Sequence, residues 1–267
     1  MLKLVSGNWK MNGSKKDLDQ WFEDFFKMSP EFKNVPAENL PTTLICLPSI
    51  FIEYAQELAK KYNEKSKTIR VNIGCQDVHS EERGAYTGNN SVLFAKEFGV
   101  KYTLVGHSER RQYEGETDSF VAKKAVIAIS NGITPIICVG EPKEVREKGR
   151  HIKFVEDGIL GSTEGVDVKK AVIAYEPVWG IGAGLTPTFG EIEEINFHIK
   201  KVLAKKNSIK ESEVIVLYGA SVKSSNVKEI AAQKSVDGVL VGGASLKGEE
   251  FFNIIKNSLS NNSSKNF

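Results

Sequence analysis

The sequence predicts an α/β fold, a single-domain (β/α)8 barrel, and three observations carry the prediction. Eight short apolar runs recur along 267 residues, at 2–7, 42–47, 69–75, 102–106, 133–139, 171–175, 214–218 and 238–241. Most are rich in Val and Ile without polar alternation, the pattern of parallel strands covered on both faces. Between them lie stretches of helical periodicity, and strand followed by helix eight times over closes into a barrel. An open doubly wound sheet is the alternative, but the first strand carries no glycine-rich dinucleotide fingerprint. The barrel is preferred.

In chain order, the stretch 17–27 puts Leu18, Trp21, Phe22, Phe25 and Phe26 on one helical face. At 117–131, Phe120, Val121, Ala125 and Ala128 recur at helical spacing behind Thr117, which can cap. The stretches 191–205 and 249–258 read the same way. Residues 1–258 form the expected domain, and the polar tail 259–267 is expected to fray. A net charge of +2 argues against a nucleic-acid or membrane-surface protein, so an anionic ligand must be recognised locally. Cys46, Cys75 and Cys138 sit in or at the ends of strand-like runs, without disulfide or metal spacing, and read as buried thiols. Met1 leads straight into a strand with no leader signature, and no apolar run is long enough to span a membrane. A cytoplasmic protein is expected.

In such a barrel the chemistry gathers where the strands end. The run 171–175 ends at Glu176, and Pro177, Val178, Trp179, Gly180, Ile181, Gly182, Ala183 and Gly184 follow. Proline stiffens the exit and glycines loosen what comes after, as in a base beneath a lid. Alone, the segment reads equally well as a solvated Glu before an ordinary loop. Other strand ends add Asn8 and Lys10, then His107, then Tyr218-Gly219-Ala220-Ser221, then Val241-Gly242-Gly243-Ala244-Ser245. Each has a plain structural reading, but their joint occurrence at one mouth points to a site. His79, His151 and His198 lack such a setting and read as structural or surface residues.

Gly7-Asn8-Trp9-Lys10-Met11-Asn12, Gly84-Ala85-Tyr86-Thr87-Gly88, Gly106-His107-Ser108-Glu109-Arg110-Arg111, Ile136-Ile137-Cys138-Val139-Gly140-Glu141 and Ala174-Tyr175-Glu176-Pro177-Val178-Trp179 together resemble the triosephosphate isomerase family. The resemblance runs on to Gly242-Gly243-Ala244-Ser245-Leu246 and implies a TIM barrel interconverting dihydroxyacetone phosphate and D-glyceraldehyde 3-phosphate in glycolysis and gluconeogenesis. It implies Glu176 as base and a neutral His107 as electrophile, a tuning for which this family is itself a standard example. Ser108-Glu109-Arg110 reads as a helical turn whose dipole would favour the neutral ring. By the same resemblance Lys10 supplies fixed charge, Asn8 bonds substrate oxygens and Glu109 orients Lys10. Gly182, Ser221, Gly242 and Gly243 hold the phosphate, and residues 177–184 close as a lid. No metal or cofactor is implied. A homodimer is, through a loop holding Tyr86, Thr87 and Gly88.

The sequence also departs from the family pattern. Gly180 and Ala183 replace Ala and Thr in the lid, and Gly180 is expected to slow closure. Ala220 replaces a second glycine before Ser221 and would be strained if that position needs a positive φ. Asp77 replaces Asn, without an explanation at the level of sequence. Asn89-Asn90 replace an acidic and an apolar residue, and polar Asn90 is expected to weaken the dimer.

Overall fold

A computed structural model describes residues 1–181 and 187–259. Among them eight strands close into a barrel in sequential order: β1 (Leu4–Asn8), β2 (Thr42–Leu47), β3 (Val71–Cys75), β4 (Tyr102–Val105), β5 (Thr134–Val139), β6 (Val172–Tyr175), β7 (Ile215–Tyr218) and β8 (Gly238–Val241). Neighbours are parallel, and β8 returns to β1 with Leu4 opposite Gly238. The helices are α1 (Lys15–Met28), α2 (Ile52–Lys65), α3 (Val92–Glu97), α4 (Ser108–Tyr113), α5 (Asp118–Ser130), α6 (Lys143–Glu147), α7 (His151–Ser162), α8 (Phe189–Asn207), α9 (Val227–Ala231) and α10 (Gly248–Leu259).

Two apolar cores explain why the strands lack alternation. Successive side chains of a strand point to opposite faces. One set, including Leu4, Leu44, Leu104, Ile136, Leu217 and Leu240, fills the barrel. The other, including Val5, Ile45, Ile73, Val105, Ile137 and Val216, packs outward under the helices. Both faces are covered, so both must be apolar.

The α1 side of that outer core is aromatic. Trp21 stacks on Phe25 at 4.9 Å between centroids, and Phe251 and Phe252 of α10 close over them. Trp21 Nε1 donates to Ser245 O at 2.9 Å, so this core also anchors the loop after β8. Ser14 caps α1 by accepting from Asp17 N, and Thr117 caps α5 by accepting from Phe120 N.

The observed elements shift some expected boundaries. β1 ends at Asn8 rather than Gly7, and α8 starts at Phe189 because Thr188 and Glu191 form a capping box. Leu259, expected in the tail, is the last residue of α10 and packs against the core. Residues 260–267 of the expected tail lie outside the described residues. Among the described residues no helix is long and apolar enough to cross a membrane. The three cysteines are buried and unpaired, and burial pushes their thiols up, Cys75 to about 11.

Candidate active site

The ends of β1, β4, β6, β7 and β8 converge on one cavity of about 310 Å³, lined among others by Asn8, Lys10, His107, Glu176, Ser221 and Gly242. Lys10 leaves β1 in the left-handed region, at φ 52, a strained setting for a side chain with a Cβ. Two hydrogen bonds hold it there. Its N–H donates to Asn8 Oδ1 at 3.0 Å, and Gln76 Nε2 donates to its carbonyl at 2.8 Å. The ammonium lies 2.5 Å from Glu109 Oε1.

His107 stands at the end of β4 as the N-cap of α4, with Nδ1 accepting from Glu109 N at 3.3 Å. Its Nε2 is 3.2 Å from Glu176 Oε1, and both side chains are buried. Burial pushes the imidazole down in pKa, but the charge of Glu176 and its hydrogen bond pull it up and prevail. An Nδ1 that accepts an amide proton belongs to a neutral ring, which leaves the proton on Nε2 to face Glu176. The carboxylate of Glu176 thus draws the ring toward its charged form, while the Glu109 N–H bond to Nδ1 fits the neutral ring protonated at Nε2.

Glu176 needs two glycines beside it. A Cβ on Gly140 would lie 1.8 Å from Glu176 O, and one on Gly219 would lie 2.9 Å from its Cγ. The second carboxylate oxygen, Oε2, is buried without a hydrogen-bond partner. Across the cavity, Gly242 and Gly243 expose bare backbone: a Cβ there would meet only Lys10 Cε at 3.9 Å, or nothing. Ser221 Oγ donates to Gly180 O at 2.8 Å. The positive φ expected to trouble Ala220 falls on Ser221 instead, at φ 48, so Ala220 carries no such strain.

The family model for triosephosphate isomerase matches residues 3–258 of this chain. The triosephosphate isomerase of Psychromonas ingrahamii is 41% identical over 256 residues, covering 95% of this chain and 97% of that protein. That of Thermus thermophilus is 39% identical over 257 residues, covering 95% and 97%. The crystal structure of triosephosphate isomerase from Bartonella henselae superposes with a TM-score of 0.83 at 30% identity, covering 96% of this chain and 99% of that one. The chain belongs to the triosephosphate isomerase family.

Within this triosephosphate isomerase fold, Pro177 leads into a single 3-10 turn, Val178–Gly180, and then Ile181. Gly182, Ala183 and Gly184 of the expected lid, with the expected Gly182 phosphate contact, lie outside the described residues. The turn is tied down through Trp179, whose Nε1 donates to Glu141 Oε1 at 2.9 Å while Arg146 lies 5.1 Å over its ring. Glu141 also accepts from Tyr175 OH and from Arg146. Gln76, Glu141 and Arg146 were not among the expected site residues. Gln76 is the first residue past β3 and Glu141 the second past β5, so the strand-end argument reaches both. Arg146 has no comparable signal.

Tyr86, Thr87 and Gly88 are exposed on the loop after β3, where the Tyr86 ring packs 4.1 Å from His79. Next to the site lies an open cleft of about 360 Å³, lined by Met11, Gln76, Asn90, Arg110 and Tyr113 among others. His151 and His198 pair with Glu194 and Glu156 between α7 and α8, and neither lines this cavity.

Proposed function

We propose that this chain interconverts dihydroxyacetone phosphate and D-glyceraldehyde 3-phosphate by proton transfer through an enediolate. The observation that carries the reading is the 3.2 Å approach of Glu176 Oε1 to His107 Nε2 at the wall of a cavity that also holds Lys10. A triose entering between them replaces their mutual contact with two contacts to itself.

Glu176 takes a proton from one carbon and returns it to the next. His107, neutral, donates its Nε2 proton to the carbonyl oxygen and recovers one from the neighbouring hydroxyl. Lys10 places fixed positive charge where the enediolate oxygen develops, and Glu109 and Gln76 hold Lys10 in place. Asn8, whose Oδ1 is engaged by Lys10 N, has its amide nitrogen for a substrate oxygen. Backbone N–H groups of Gly182, Ser221, Gly242 and Gly243 receive the phosphate, and closure of residues 177–184 keeps water from the intermediate. The transfer needs neither metal nor cofactor.

We infer a cytoplasmic homodimer in which the loop carrying Tyr86, Thr87 and Gly88 enters the partner's cleft. Its support is apolar exposure around that cleft: Met11 is 96% and Tyr113 73% exposed. Sedimentation across a dilution series should show a dimer that dissociates above low-nanomolar concentration if Asn90 weakens it. The reaction is tested by coupled isomerisation of glyceraldehyde 3-phosphate. Wild type should turn it over, and Glu176→Gln, which keeps the shape but cannot take the proton, should lower kcat by roughly 10²–10⁴-fold. A variant as active as wild type would remove Glu176 from the reaction.

A further inference from the structure

The charges around the substrate cavity nearly cancel. Lys10 is 2.5 Å from Glu109, and Glu176 brings a second negative charge beside His107. On these residues alone, with a neutral imidazole, a phosphorylated triose carrying two negative charges meets a slightly negative mouth. The whole chain, at net +2, offers little long-range attraction to correct this. The remaining cation lining the cavity is Lys223, two residues past Ser221. It is exposed, and among the described residues no carboxylate forms an ion pair with it.

The loop beneath Lys223 is firmly built. Lys223 N donates to Asn226 Oδ1 at 2.9 Å, and Asn226 Nδ2 donates to Ser221 O at 2.9 Å, so one side chain braces both residues. Glu250, the acid held against this loop, engages Ser224 N with one oxygen and Ser224 Oγ with the other, at 2.8 and 3.0 Å. Asn257 Nδ2 fixes Ser224 O from α10 at 2.8 Å. Lys223 is thus held on a rigid base beside Ser221 in the lining of the cavity, with no ion-paired carboxylate among the described residues.

We propose that Lys223 steers and holds the phosphate of the substrate, a further binding residue beyond Lys10 and the backbone amides. The identity of that substrate rests on the isomerase reading above. The ammonium restores a non-negative mouth and meets the dianion before the backbone groups can. One charge acting on a dianion at a distance on the order of 8 Å through water changes capture about fivefold.

The test compares Lys223→Ala, Lys223→Glu and Lys223→Arg by coupled isomerisation at low ionic strength and at about 0.3 M salt, with calorimetric binding of inorganic phosphate alongside. The expected result is a fall in kcat/KM of about fivefold for Ala and about 25-fold for Glu at low salt, shrinking below about twofold at high salt. Saturated kcat should hold, Arg should restore kcat/KM, and phosphate affinity should fall in the same order. Values of kcat/KM unchanged in Ala and Glu, or a loss that salt does not relieve, overturn the assignment. Should wild type isomerise no triose yet bind phosphate in a Lys223-dependent way, the anion site stands and the isomerase reading falls.

Discussion

Two charge clusters sit side by side in this barrel and are built to opposite ends. At the mouth, Lys10, Glu109, His107 and Glu176 make few bonds among themselves, and Glu176 Oε2 makes none. Behind it, Lys124 Nζ binds both oxygens of Asp77, at 2.7 and 2.8 Å, and Glu116 Oε1 at 2.6 Å. Arg110 completes that second group, 3.1 Å from Asp77 and 2.5 Å from Glu116. Consecutive residues serve different clusters: Gln76 reaches Lys10 while Asp77 reaches Lys124, and Glu109 reaches Lys10 while Arg110 reaches Asp77. The same two segments carry both. The groups at the mouth keep bonding capacity in hand, and the groups behind them satisfy one another, with Glu116 Oε2 the exception.

The largest effects that could break this division are in activity at the mouth and stability behind it. Glu176→Gln should lose most of its kcat without losing melting temperature, because it removes a charge from a buried position with an unpartnered oxygen. Lys124→Met should do the reverse. It leaves two carboxylates with Arg110 alone, and breaking a buried ion cluster in this way costs about 3–5 kcal/mol. For a domain of this size that is a fall of about 10 °C in Tm, while kcat measured well below the transition stays near wild type. If calorimetry shows Lys124→Met as stable as wild type but kinetics show it inactive, the second cluster belongs to the catalytic apparatus and the division is wrong.

How much of this was legible beforehand differs between the clusters for a physical reason. The barrel was readable because runs such as Ala171-Val172-Ile173-Ala174-Tyr175 are apolar on both faces, which few other settings require. Lys10, His107 and Glu176 could be expected at one cavity because each follows a strand end, and the structure brings the three together there. Element limits were less so: the start of α8 at Phe189 is set by Thr188 and Glu191, a T-x-x-E spacing that periodicity alone overlooks. Gln76 meets Lys10 from 66 residues away, and Arg146 joins nearby Glu141 to Glu191, 45 residues on; no local pattern encodes the distant meetings. Asp77, unexplained as a substitution for Asn, acquires its reason only from Lys124, 47 residues on.

That substitution gives the smallest expected effect and the sharpest probe of the buried cluster. Burial is the largest influence on the Asp77 carboxyl and raises it; Lys124 opposes, Glu116 adds to the rise, and the result is about 6. Glu116 is also pushed up by burial, but hydrogen bonds from Lys124 and Arg110 outweigh it and bring it below its usual value. The folded chain therefore holds the Asp77 proton more tightly than the unfolded chain, whose Asp titrates near ~3.9. This group favours folding most below that value, and the advantage is lost as pH rises from about 4 to about 6, by at most about 3 kcal/mol. Asp77→Asn cannot titrate, so its stability relative to wild type should climb across that window and level off above it. Denaturant melts at pH values spanning it measure the difference directly. A constant difference would mean that Lys124 and Arg110 keep Asp77 ionised throughout, and that the ion pairs, not desolvation, govern this cluster.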